Sequence, residues 1–209
     1  ARSRITYNLP EIFANRPWQN QVMVSAYNGS AFYEMNLYRK FGHMIDGIRQ
    51  PALDNFVHAS ALYTIRHYNP EMVLIHFTDV DTNRHIYGVD HQKVTEALNR
   101  HDKRLGELMD AIEDTGDMNK TTVVILGDHC QYQTERVVYF NHLLKKAGFL
   151  KAKGDVITDY TYISKNCDGC TYIYENPKKK ATKRDFKRLT ALLEKCKKNP
   201  VCGVDRIFT

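Results

Sequence analysis

The sequence predicts an α/β fold with a mostly parallel sheet sandwiched by helices and a small strand-rich piece at the C-terminal end. Helical and strand patterns alternate between residues 51 and 150, which is typical of this class. Two largely apolar runs, residues 72–77, which only His76 interrupts, and residues 121–126, indicate strands buried on both faces, as in parallel sheets. Each run leads directly into a predicted loop that contains an aspartate and a histidine.

Two helices are predicted to flank the first apolar run. One begins at Pro51, a residue that suits the first helical turn, and ends before Pro70, because the residue preceding a proline disfavours helical backbone. The other is amphipathic over residues 94–112, with Asp90 as the expected N-cap and an end near Gly116.

Two more helices are predicted in the C-terminal third. One covers residues 137–144, and Gly148 is the expected left-handed residue just beyond its end. The other begins at Thr182, whose spacing to Asp185 resembles a capping box. Its apolar residues line one helix face: Phe186, Leu189, Leu192, Leu193 and Cys196.

Four shorter segments rich in β-branched and aromatic residues are predicted as additional strands. These segments are residues 21–27, 156–163, 171–174 and 204–208. We interpret the 209 residues as a single partial domain. It would have an irregular lead-in over residues 1–50, an α/β core over 51–150 and a small α+β extension over 151–209.

The net charge of +6 comes largely from one basic segment near the C-terminus. Few aromatic residues are interleaved there for base stacking, so we expect a solvated helix face and no nucleic-acid partner. No apolar run approaches the roughly 20 residues that span a bilayer, and we expect no membrane association. The sequence does not indicate the oligomeric state.

The five cysteines indicate free thiols, because their number is odd and no secretory signal is visible. This pattern favours a reducing, cytoplasmic location. The alternative is a four-cysteine zinc site formed by the CxxC of Cys167 and Cys170 with Cys196 and Cys202. The spacing of the second pair is wide for such a site, so free thiols are favoured.

The two segments after the apolar runs contain the candidate metal ligands. Asp81 and His85 are four residues apart, and Asp128 and His129 are adjacent. Carboxylate and imidazole groups bind divalent cations, and the carboxyl ends of neighbouring parallel strands lie at one edge of a sheet. The alternative is a pair of turn carboxylates with exposed histidines. We expect His76 to be a core histidine.

The stretch from His76 to Gly88, HFTDVDTNRHIYG, resembles the D-x-x-G-H-x-x-G loop of the alkaline phosphatase superfamily. The nearest resemblance is to its bacterial-type type I phosphodiesterase/nucleotide pyrophosphatase branch. The stretch TVVILGDH over residues 122–129 is similar to the strand and S-D-H-G loop of the same superfamily. The resemblance implies an alkaline-phosphatase-like core.

The same resemblance implies a binuclear centre with two divalent metal ions, zinc or alternatively manganese. Carried over residue by residue, Asp81 and His85 would bind one metal, and Asp128 and His129 would bind the other. Arg84 stands where the family has glycine, and it is a candidate contact for phosphate. Cys130 replaces a second family glycine.

The family's Ser or Thr nucleophile has no counterpart that we can identify in the sequence. We therefore expect an internal or C-terminal fragment of a longer enzyme, inactive by itself. The function implied is metal-dependent hydrolysis of a small-molecule phosphoric ester. The alternatives are a phosphomutase or sulfatase of the same superfamily, or a non-catalytic metal-binding module.

Overall fold

The computed structural model describes residues 5–11 and 14–209. The chain divides into two compact units, Ala1–Gln133 and Thr134–Thr209. In the described part, the first unit is helical, and the second combines helices with small antiparallel sheets. This mixture is consistent with an α/β fold, whereas the expected organisation as one partial domain stays a prediction.

Five α-helices lie in the described part of the first unit. They are α1 (Gln21–Asn28), α2 (Ala31–Phe41), α3 (Ala52–Tyr68), α4 (Asp79–Tyr87) and α5 (Gln92–Asp114). Helices α3 and α5 confirm the two helices predicted there, although His91 rather than Asp90 is the N-cap of α5. The helices α3 and α5 enclose a small apolar core formed by Ala61, Ile65, Leu108 and Ala111.

The prediction of a strand over residues 21–27 is wrong, because this segment lies in helix α1. The side-chain oxygen of Asn20 accepts hydrogen bonds from the backbone N–H groups of Val22 and Met23. These two bonds satisfy amides that a helix start leaves without partners, so they favour helix over strand.

The described residues do not form the predicted parallel sheet. Residues 72–77 and 121–126 belong to no strand, and the sheets that are present pair two antiparallel strands each. A strand is stable only when a neighbour accepts its backbone hydrogen bonds. Without one, much of the apolar surface of both runs is exposed, including Leu74 and Ile125 at 85% and 73%.

The second unit consists of two β-hairpins and two helices. Its elements are α6 (Phe140–Lys146), β1 (Leu150–Lys153), β2 (Val156–Tyr160), β3 (Tyr162–Cys167), β4 (Cys170–Glu175) and α7 (Lys183–Lys198). Strand β1 pairs with β2, and β3 pairs with β4, both antiparallel. The core of this unit is formed by Leu144, Phe149, Leu150, Tyr162 and Leu189.

The end signals of α6 and α7 are confirmed. Gly148 has a φ of 81° beyond the end of α6, and Thr182 and Asp185 form the reciprocal capping box of α7. The predicted strand over residues 204–208 is wrong, since this segment pairs with no described strand. Strand β1 was not predicted, because two lysines interrupt its apolar pattern.

In the part of the chain that the structure describes, none of the helices combines the length and the apolar character needed to cross a membrane.

Candidate metal site

The first pair of candidate ligands lies on helix α4. Asp81 and His85 are one helical turn apart, and Oδ1 of Asp81 is 3.4 Å from Nε2 of His85. The segment was expected to be a loop, but it is helical, and helical geometry places residues four apart on the same face. The helix ends at Gly88, whose φ of 92° and ψ of 163° are accessible to glycine alone among the common residues.

The second pair follows residues 121–126 in a segment without regular secondary structure. The backbone N–H of His129 donates to Oδ1 of Asp128 at 3.0 Å, and Nε2 of His129 lies 3.4 Å from Oδ2 of the same carboxylate. This local turn lets two adjacent side chains point toward each other, which a regular strand would prevent.

The structure brings the two pairs together. Nε2 of His129 is 3.8 Å from Oδ1 of Asp81, so a carboxylate from α4 contacts an imidazole from the second segment. Oδ1 of Asp81 is buried and accepts no hydrogen bond, even though the carboxylate as a whole is partly exposed. A buried oxygen without a donor is costly unless a cation or another group satisfies it.

His76 extends this cluster, and the expectation that it is a core histidine is wrong. Its ring is half exposed, with Nδ1 2.5 Å from Oε2 of Glu11 and Nε2 3.9 Å from Oδ2 of Asp128. The hydrogen bond to Glu11 raises the pKa of His76 above its ordinary value, and the charges of nearby carboxylates add to this effect. The apolar run around His76 concealed its position, because alternation along an extended segment points it away from Ile75 and Phe77.

The carboxylate and imidazole groups suit a divalent cation, but the structure brings them together only in pairs. Within the described residues, no group of three or more His, Cys, Asp or Glu side chains is arranged to hold a metal ion. Each pair offers one carboxylate and one imidazole, which are suitable donors for zinc or manganese. The buried and unsatisfied Oδ1 of Asp81 is the observation in favour of a cation at this position.

Arg84 and Cys130, the two residues that replace family glycines, lie next to the candidate ligands in the sequence. Nε of Arg84 on α4 is buried and makes no hydrogen bond in the structure. Cys130 is an exposed free thiol, and its carbonyl oxygen lies 3.3 Å from Nδ1 of His129. The carbonyl of Cys130, rather than its sulfur, is therefore the group placed against the imidazole.

A buried carboxylate from α3 holds the beginning of α4. Asp54 is 1% exposed and accepts hydrogen bonds from the backbone N–H groups of Thr78 and Asp79 at 3.0–3.1 Å. Thr78 itself makes no capping bond with its side chain. Asp54 thus replaces a local N-cap, and its negative charge favours the positive end of the helix dipole.

Two arginines from α5 hold the same end of α4. Arg100 donates to both oxygens of Asp79 at 2.7 and 3.0 Å, and Arg104 donates to one of them at 3.3 Å. Burial raises the pKa of Asp79, but the hydrogen bonds and charges of these arginines outweigh it and hold the pKa below its ordinary value. Helix α4 is therefore anchored to α3 and α5 at Asp79, two residues before Asp81.

Comparisons with known proteins identify the relatives of this chain. Residues 1–206 match the type I phosphodiesterase / nucleotide pyrophosphatase family. A 77-residue stretch is 30% identical to GPI ethanolamine phosphate transferase 3 of Schizosaccharomyces pombe, covering 37% of this chain and only 8% of that protein. No solved structure matches the chain. Since the family match covers almost all of the sequence, the chain belongs to the type I phosphodiesterase / nucleotide pyrophosphatase family.

Proposed function

We propose that this chain supplies the ligands of a binuclear metal centre in an enzyme that acts on small-molecule phosphoric esters. The contact between Asp81 and His129 is the observation that carries the proposal, because it joins two ligand pairs that are far apart in sequence. The unsatisfied Oδ1 of Asp81 supports it further. The family membership supports the reaction class, either hydrolysis of a phosphoric ester or a related transfer.

We assign Asp81 and His85 to one cation and Asp128 and His129 to the other. Both cations would be zinc, with manganese as the alternative. Two neighbouring divalent cations neutralise charge on a phosphoryl group and polarise its oxygens. The residues of this chain would position both cations, and the anchored start of α4 would limit the movement of Asp81 and His85.

Arg84 is the proposed contact for a phosphate oxygen. It lies one residue before His85 on α4, and its buried Nε has no hydrogen-bond acceptor. A guanidinium presents several donors in one plane, which suits two oxygens of a phosphate. A bound ester would supply the missing acceptor.

Transfer to an acceptor other than water is the second candidate reaction. The relative from Schizosaccharomyces pombe is, by its name, an ethanolamine phosphate transferase. Hydrolysis and transfer share displacement at phosphorus and differ in whether water or a hydroxyl group accepts the phosphoryl group. A phosphomutase or a sulfatase would share the metal ligands and differ in the substrate.

We also propose that residues 72–77 and 121–126 are neighbouring parallel strands of an α/β core in the intact protein. Ile75 and Phe77 pack on the core between α3 and α5, whereas Leu74 is exposed, and this alternation has the period of a strand. Slow amide hydrogen exchange in both segments would support the proposal. Fast exchange throughout both segments of the intact protein would contradict it.

Calorimetric titration of the chain with Zn²⁺ and Mn²⁺ tests the metal site. We expect binding that is weakened at least tenfold by Asp81→Ala and by Asp128→Ala. Asp110→Ala, which removes an exposed carboxylate of α5, is the matched control and should leave binding unchanged. Unchanged binding in both site variants would make the contacts ordinary acid–histidine pairs and the assignment wrong.

Activity of the intact protein separates the remaining possibilities. With zinc or manganese added, we expect turnover of bis-p-nitrophenyl phosphate or of a phosphodiester with an added alcohol acceptor. Turnover of sulfate esters alone would indicate a sulfatase. Metal binding without turnover of any of these esters would indicate a non-catalytic metal-binding module.

A further inference from the structure

Four of the five cysteines lie in the second unit, and the structure places them as two separate pairs. Cys167 and Cys170 are at the tip of a hairpin, and Cys196 and Cys202 are at the end of α7. Within the described residues, no group of three or more metal-ligating side chains could hold a metal ion. The four-cysteine zinc site considered from the sequence is therefore not formed by the described structure.

Cys167 and Cys170 face each other across the β3–β4 hairpin. They are direct partners in the antiparallel register and are separated by Asp168 and Gly169. Residues opposite each other in such a pair have Cα atoms about 4.5–5.5 Å apart. Disulfides need Cα atoms about 4.4–6.8 Å apart, so the hairpin register itself places this pair within reach.

The turn between these cysteines and the contacts of their thiols keep them together. Asp168 has a left-handed φ of 47°, which lets the chain reverse direction within two residues. The Sγ of Cys170 donates to the carbonyl oxygen of Cys167 at 3.2 Å. The charge of Cys170 and a hydrogen bond with it raise the pKa of Cys167 above its ordinary value.

The second pair is formed where α7 ends. The chain turns back through the short 3₁₀ helix Pro200–Cys202, and the side chain of Asn199 caps this turn. The backbone N–H of Cys202 donates to the carbonyl oxygen of Asn199 at 2.9 Å. The backbone N–H of Asn199 in turn donates to the carbonyl oxygen of Cys196 at 3.1 Å, so two successive turns bring Cys202 back toward Cys196. Burial raises the pKa of Cys196, and the charge of Cys202 and a hydrogen bond with it raise this pKa further.

We propose that the second unit forms two disulfides, Cys167–Cys170 and Cys196–Cys202, and that Cys130 stays unpaired. In each pair one thiol loses its proton and attacks an external disulfide, forming a mixed disulfide and releasing one thiol. The second cysteine then loses its proton and displaces the other half of the oxidant as a thiol. Two electrons pass to the external disulfide, and one new S–S bond forms in the protein.

The two cysteine pairs differ in solvent exposure, and we therefore expect their disulfides to differ in how readily they are reduced. Cys167 and Cys170 are exposed, whereas Cys196 is 5% exposed. Exposed disulfides exchange with small thiols more readily than buried ones. The hairpin pair is therefore a reversible redox site, and the pair at the end of α7 is a structural bond. Such bonds form in oxidising compartments, which would replace the cytoplasmic location expected from the odd number of cysteines.

Differential alkylation in glutathione buffers of stepped redox poise, followed by peptide mass mapping, tests the proposal. We expect the linkages Cys167–Cys170 and Cys196–Cys202 under oxidising conditions. On stepwise reduction the hairpin pair should open first. Any other pairing, or four cysteines that stay alkylatable in the oxidising buffer, would overturn the proposal.

Three serine variants test which cysteine is bonded to which. Cys167→Ser should make Cys170 alkylatable and leave Cys196–Cys202 intact, and Cys202→Ser should free only Cys196. Cys130→Ser is the matched control and should change no linkage. Stoichiometric Zn²⁺ binding that is lost in both Cys167→Ser and Cys202→Ser would overturn the proposal in favour of a shared metal site. None of these outcomes depends on Asp81 or Asp128, so the metal centre can fail independently.

Discussion

The carboxylate of Asp54 on α3 accepts a hydrogen bond from the backbone N–H of Asp79, the first residue of α4, at 3.0 Å. The two residues are 25 positions apart and both are almost completely buried. Their carboxylates share Arg104, which lies 3.6 Å from Asp54 and 3.3 Å from Asp79. This arrangement connects three helices at the start of the helix that contains Asp81 and His85.

Asp54→Asn should destabilise the first unit by about 3–5 kcal/mol, the usual cost of breaking a buried ion pair. Asparagine has nearly the same shape but only one acceptor oxygen, so its NH2 group would face a donor, either Nε2 of Gln50 or the backbone N–H of Asp79. Urea unfolding followed by circular dichroism measures the change. Asp102→Asn, an exposed change on α5, is the control and should stay within about 0.5 kcal/mol. Equal stability of both variants would mean that Asp54 does not hold α4.

The first unit should be less stable in mild acid because His101 becomes protonated when the chain unfolds. Its ring stacks on Phe77, and burial lowers its pKa below the ordinary value. Arg104 can only donate, and its NH1 lies 3.1 Å from Nδ1 of His101, so this nitrogen accepts and must stay unprotonated. The unfolded chain therefore takes up the proton first. The stability from His101 is present above about pH 6.5 and is lost as the pH falls through the lowered pKa.

The measurement is thermal unfolding between about pH 7.5 and about pH 5.5, which spans the ordinary histidine pKa. His58 has a pKa lowered by burial and acts in the same direction, while the raised pKa of His76 acts in the opposite one. The comparison is therefore made with His101→Gln, which should lose less stability than the native chain over this range. His142→Gln, a change of an exposed side chain on α6, is the control. An identical pH dependence of the native chain and His101→Gln would contradict the prediction.

Gly88→Ala should loosen the end of α4 next to His85. The backbone at Gly88 is in a region that costs a residue with a side chain about 1–3 kcal/mol. A Cβ there would also lie 2.9 Å from Oε1 of Gln133. Gly116→Ala is the matched control, because Gly116 has a φ of 75° but no atom within 4 Å of an added Cβ. Calorimetric unfolding should show a larger loss of stability in Gly88→Ala than in Gly116→Ala. An equal loss in both variants would mean that the contact with Gln133 does not contribute.

The sequence predicts helices well where periodicity and end signals agree. Pro51 and Pro70 bracket α3, and Thr182 with Asp185 begins α7. The sequence predicts a loop where helix α4 lies, because its polar residues have no apolar period and its N-terminus is capped by Asp54 from another helix. Long-range capping of this kind leaves no local pattern in the sequence.

The apolar runs show a different limit of sequence reasoning. Hydrophobicity over residues 121–126 indicates a buried strand, but strand formation also depends on partners that the run does not specify. The ligand residues were identified from two short motifs, and the structure places Asp81, His85, Asp128 and His129 in pairwise contact. Their role as metal ligands stays a prediction. His76 and Glu11 were missed, since their proximity to Asp128 depends on the fold.

The most direct test of the metal centre is a titration with Zn²⁺ followed by ¹⁵N NMR of the histidine rings, which reports each ligand even when binding is weak. We expect that the ring-nitrogen signals of His85 and His129 shift together as zinc is added, while those of His142 on α6 do not respond. In Asp81→Ala and Asp128→Ala these shifts should need at least tenfold more zinc. Signals of His85 and His129 that stay unchanged at saturating zinc, or that shift equally in the variants, would contradict the proposed centre.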